Sequence, residues 1–156
     1  MSPERLLTLW HRLGRSAPGR WLFAQLIRFA VPYSGSIGAR VTSLEPGLAT
    51  VSLRDRRTVR NHLGSVHAVA LVNLAELSSG LAMLAALEPG VRGIVTEIQM
   101  HYHRKARGTL TATGTAAPPP VDHPTEALAH AEVRDSAGEI VAEATVTWKL
   151  DRRAGS

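Results

Sequence analysis

Cysteine is absent from this sequence. Its absence excludes disulfides and thiolate metal sites and suits a reducing cytoplasm, the compartment expected here. Aromatic residues make up only 4% of the 156 positions, and the basic residues do not alternate with them. A stacking platform for single-stranded nucleic acid needs that alternation, so no nucleic-acid partner is expected. No uninterrupted apolar run approaches the roughly 18 residues of a membrane span, and the opening MSPERLLTLW lacks the basic-then-apolar order of a signal peptide. Internal repeats and acidic tails are also missing.

What is present suits one well-buried domain: 44% of the residues are hydrophobic, and the chain is short for two domains. The net charge of +5 and a pI near 10.7 favour anionic partners, which include membrane surfaces and phosphorylated small molecules. Composition does not choose between them.

Leu6, Leu9, Trp10 and Leu13 recur at helical spacing, as do Leu22, Phe23, Leu26, Ile27 and Ala30. This predicts two short helices broken at residues 14–19, GRSAPG, with Pro32 closing the second by disfavouring a helical Val31. Residues 1–33 therefore read as a helical arm and residues 34–151 as the main domain. Arg5, Arg12, Arg15, Arg20 and Arg28 decorate the arm beside Trp10 and Trp21. An arm packed on the domain is the expectation, with a membrane-surface role as the alternative.

Residues 37–44 and 48–53 read as a hairpin around Glu45-Pro46-Gly47. A polar, basic segment follows, then a long apolar helix over residues 66–87 with Ser65 as its N-cap and Glu88-Pro89-Gly90 as its stop. Four strands complete the chain, at about residues 93–103, 109–116, 127–134 and 140–150. In the first of these, Ile94, Ile98, Met100 and Tyr102 are expected on one side. Two strands, a helix too apolar to lie exposed, and four strands imply an α+β architecture, an antiparallel sheet wrapped around one central helix.

Around the start of that helix runs RNHLGSVHAVALVNLAELSSG, which sets Asn61, His67 and Glu76 among small and apolar residues. An unpaired buried carboxylate costs several kcal/mol, so the acid calls for a compensating reason. The spacing of Asn61, Gly64, His67 and the acid nine positions beyond resembles the hotdog-fold acyl-CoA thioesterases of the phenylacetic-acid-degradation type. MHYHRKARGTL, from Met100, is similar to that family's third strand and following turn. With the leader SAPGRWLFAQLIRFAVPYSG, the chain resembles most closely the bacterial hotdog proteins catalogued as a domain of unknown function. It departs from the thioesterase pattern in carrying Ala68 and Val69 in place of a glycine pair and glutamate where aspartate is commoner.

The resemblance implies hydrolysis of an acyl thioester or, as the alternative, a non-catalytic domain that binds acyl-CoA or acyl chains; dehydratases of the same fold place their histidine and acid differently. It implies roles for the Ala68 N–H in polarising the carbonyl, for Glu76 as base or nucleophile, and for Asn61 and His67 in orienting the reactants. Gly64 belongs to the same motif on the substrate side, and Arg57, Arg60, Arg104, Lys105 and Arg107 are candidate contacts for the phosphates of coenzyme A. No cofactor is implied, since coenzyme A arrives as part of the substrate. His101 and His103 alternate on one strand without a third ligand at suitable spacing, so no metal is expected. Nine helical steps rotate by about 900° and rise roughly 13 Å, which puts His67 and Glu76 on opposite sides of a helix. The resemblance answers this with a site shared between two protomers, hence a homodimer or a tetramer built from dimers.

Overall fold

The structure is a computed structural model that describes residues 3–152. Its N-terminal part holds three helices rather than two: α1 (Pro3–Leu13), α2 (Ala17–Ala30) and α3 (Pro32–Ser36). Ser16 caps α2, its Oγ accepting from the Gly19 N–H at 3.1 Å. Pro32 ends α2 as expected, and its fixed φ also opens the five-residue α3. Ile37 therefore caps α3 instead of starting a strand, and Gly38, at φ 64°, turns the chain into β1 (Arg40–Glu45). Trp10 is 8% exposed and packs edge-on against Phe23, ring centres 5.0 Å apart, so this part of the arm is packed as expected and Trp10 does not join Trp21 on an outer surface.

The remaining strands are β2 (Leu48–Leu53), β3 (Val91–Tyr102), β4 (Leu110–Ala116), β5 (Thr125–Arg134) and β6 (Ile140–Arg152). They form one antiparallel sheet in the order β1-β2-β4-β5-β6-β3. Alternate residues point inward: Ala49, Val51 and Leu53 on β2, Ala129, Ala131 and Val133 on β5 are buried. They close over α4 (Ala68–Ala86), which packs chiefly on β4, β2 and β5. Small residues make this packing close. A Cβ on Gly114 of β4 would lie 2.2 Å from the Ser78 backbone of α4. Ser78 and Ser79 satisfy their hydroxyls on the Ala75 carbonyl one turn back, so neither needs a partner in the sheet.

By length and composition α4 could cross a membrane, but most of it is buried inside the fold. It begins two residues later than expected. His67, in extended conformation, is the N-cap, and its Nδ1 accepts from the Val69 N–H at 3.1 Å. Ser65 is buried instead, donating from both N–H and Oγ to Asn61 Oδ1.

Among the described residues β3 is an edge strand, paired with β6 alone. The expected stripe on it is broken by a register shift between Val95 and Glu97. Ile98, Met100 and Tyr102 sit opposite Val146, Ala144 and Ala142, on the face that turns to α4, whereas Ile94 sits opposite the exposed Lys149 on the other face. One extra residue at the bulge inverts the alternation, which period-two reading does not anticipate.

Candidate functional site

The start of α4 gathers several of the residues singled out in the sequence. Asn61 Oδ1 accepts from the Leu63 N–H at 3.0 Å and from the Ser65 N–H and Oγ at 3.2 Å, closing the loop over Gly64, whose φ is 68°. Asparagine fits because one carbonyl oxygen can serve several backbone donors of a tight turn. The loop then delivers His67 to the helix. With Val69 N–H taken by His67 and the first intrahelical bond running from Leu71 N–H to His67 O, the Ala68 N–H has no acceptor among the described residues. It is an exposed donor at the positive end of a 19-residue helix. Across from it, Tyr102 Oη donates to the Ala68 carbonyl at 3.3 Å, and partial burial raises the phenol above its ordinary pKa.

The basic residues collect at the same end. Ala106 O accepts from Val66 N–H, and Asp55 accepts from Gly108 N–H and from Arg60 at 2.6 Å, so the loop carrying Arg104, Lys105 and Arg107 is laced to the segment carrying Arg57 and Arg60. The Arg60 guanidinium holds the Asp55 carboxyl below its usual range. Arg104 lies 3.3 Å from Glu139, while Arg57 and Lys105 have no ion-pair partner among the described residues. His103 is paired with Glu143 at 2.6 Å.

Glu76 lies elsewhere. It lines an apolar cavity of about 310 Å³ with Leu6, Ile27, Val31, Leu81 and Trp148, between the N-terminal helices and the middle of α4. His67 lines a different cavity with Tyr33, Val59 and Asn73. Within one chain, therefore, Asn61, Gly64, His67 and Ala68 come together, and Glu76 does not join them. Burial pushes the Glu76 carboxyl above its ordinary pKa, partly offset by Ser34, whose Oγ donates to it at 3.5 Å. A Cβ on Gly80 would lie 3.5 Å from Trp148 Cζ2 and 3.7 Å from Glu76 Oε1, so indole and carboxylate flank the same bare stretch of helix.

Four residues of these surroundings were not singled out in the sequence. Asn73, one turn before Glu76, donates to the Tyr33 carbonyl at 3.2 Å, and its buried Oδ1, like the buried Trp148 Nε1, has no partner among the described residues. Asparagine three positions before the acid on an apolar helix was a signal available in the sequence. Ser34, Trp148 and the Tyr102 contact carried none, because only the packing of α3, β3 and β6 on α4 brings them in.

Solved structures share this architecture. A structural-genomics protein, APC5556, is 26% identical, with a TM-score of 0.83, matching 95% of this chain and 99% of its own. A Pseudomonas aeruginosa protein of unknown function and probable thioesterase, PA5026, is 24% identical with a TM-score of 0.73, over 83% of this chain and 93% of its own. Thioesterase HI1161 from Haemophilus influenzae is 16% identical with a TM-score of 0.72, over 85% and 92%. The fold is the hotdog fold that such thioesterases adopt. Among curated proteins, none matches the chain. The family described as domain of unknown function DUF4442 matches residues 19–150, and the chain belongs to it.

Proposed function

We propose that the protein is an acyl-CoA thioesterase working at two equivalent sites shared across a homodimer. Glu76 carries the reading: a carboxylate on the wall of an apolar cavity, with a serine hydroxyl as its described partner and its pKa raised by burial. Burial makes such a carboxylate a stronger base than a solvated one, and the cavity suits an acyl chain.

The geometry of β3 supports the sharing. The Glu76 cavity reaches Arg92 and Gly93 at the start of β3, whereas Tyr102, at its end, touches Ala68. Antiparallel pairing of this open edge with a second copy sets the start of one β3 against the end of the other. Glu76 of one protomer then faces the partner's helix start, with its free Ala68 N–H and its basic loops. Glu76 takes a proton from water; the water oxygen forms a bond to the thioester carbon; the carbonyl oxygen, negative in the intermediate, is held by the Ala68 N–H; the carbon–sulfur bond breaks, and the thiolate of coenzyme A takes up the proton. Asn61 holds the loop that presents the Ala68 N–H, and Arg57, Lys105 and Arg107 accept the phosphates.

Thiol release from a panel of acyl-CoA chain lengths tests this. Wild type is expected to turn over, Glu76→Gln to lose about 100-fold or more, and Asn61→Ala to lose less. Equal, negligible rates for all three with acyl-CoA binding intact would instead make the protein a non-catalytic binder.

A further inference from the structure

The outer face of α2 has no partner among the described residues. At about 100° per residue, Trp21, Leu22, Gln25, Leu26 and Phe29 fall within one arc of roughly 140°, opposite the buried Phe23 and Ile27. Trp21 is 54% exposed, Phe29 88%, and Tyr33 in the adjoining α3 70%. A chain with seven aromatic residues thus spends three of them on one solvent-facing surface. Single exposed apolar side chains need no explanation, but a continuous aromatic stripe does.

Charge indicates what covers it. Residues 3–36 contain five arginines and one acid, Glu4. At the Trp21 end, a cavity of about 580 Å³ between α2 and the outer face of β1 and β2 is lined by Arg20, Arg40, Arg54 and Arg56 and, among the described residues, by no carboxylate. Arg20 and Arg56 donate to the carbonyls of Gly14 and Ile37, which does not neutralise them, and Arg40 and Arg54 have no partner among the described residues. Four guanidiniums around one recess repel one another unless an anion enters. Aromatic side chains beside unneutralised arginines are the composition of a surface that sits in the headgroup layer of an anionic bilayer.

We infer that α2 and α3 dock the protein on an anionic phospholipid surface, with Trp21, Phe29 and Tyr33 in the interface and the arginine recess on lipid phosphates. The same helix supplies Ile27 and Ala30 to the Glu76 cavity, and its C-cap supplies Val31, so docking brings the cavity wall to the bilayer, where long acyl chains partition.

Vesicle flotation tests this with phosphatidylcholine alone and with equal parts phosphatidylglycerol and phosphatidylcholine. The protein is expected to float only with the anionic vesicles. Arg40→Gln and Arg54→Gln should each weaken binding about fivefold, and Phe29→Ser should weaken it without changing the circular dichroism. Because Trp10 and Trp148 are buried, brominated lipid should quench mainly Trp21. No flotation, flotation indifferent to these variants, or retention of inorganic phosphate without flotation would overturn the inference. So would a Phe29→Ser variant that sediments as a smaller species, since a second copy would then cover this face.

Discussion

Glu76 is a side chain poorly placed for stability, which is where the base of the proposed reaction is expected to sit. Its pKa is raised by burial, so the native protein holds the proton more tightly than the unfolded chain, whose carboxyl titrates near 4.5. The stability this contributes is complete below that value and is lost as pH rises through the native pKa. Glu76→Gln should therefore be more stable than wild type in urea at about pH 7, with the gap closing at about pH 4. An unchanged gap would mean that the carboxylate is well solvated. The identity and spacing of Asn61, His67 and Glu76 were legible in the sequence. Their local bonding was less so: His67, rather than Ser65, caps α4, because the competition for Asn61 Oδ1 by Ser65 is settled by loop closure.

At the scale of elements, the hairpin, the central helix and the four later strands follow from period and punctuation. The departures have local causes, a proline that starts a helix as readily as it ends one at Pro32, and a bulge that inverts β3. Contact between elements is what the strand pattern could not show, and Gly114 is the sharpest case. Its φ is ordinary, yet any side chain there would meet the Ser78 backbone. Gly114→Ala should cost about 3 kcal/mol through overpacking. Gly64→Ala, with open space around it but φ 68°, should cost about 1 kcal/mol from backbone strain alone. Urea denaturation of both would separate the two mechanisms, and equal losses would contradict the packing account.

At the scale of the whole molecule, the proposed shared site makes a prediction that a single-chain site does not. Ala68 is the first residue of α4, where proline is well accepted, so Ala68→Pro removes the N–H while keeping the helix. Ala68→Pro and Glu76→Gln should each be inactive. Unfolded and refolded together in equal amounts, they should regain about a quarter of wild-type activity, since half the dimers are mixed and each carries one intact site. No recovery would place both groups' work within one chain.

The sequence by itself determined the α+β order, the apolar central helix and the motif at its start, because each is written in neighbouring residues through period, capping and turn chemistry. Only the tertiary structure decided which side chains share a cavity. Glu76 meets Ser34 and Trp148, distant in the chain, through the folding of α3 and β6 onto α4, and the arginines around Trp21 converge from α2, β1 and the segment after β2. Such groupings depend on long-range packing, and no local period encodes them.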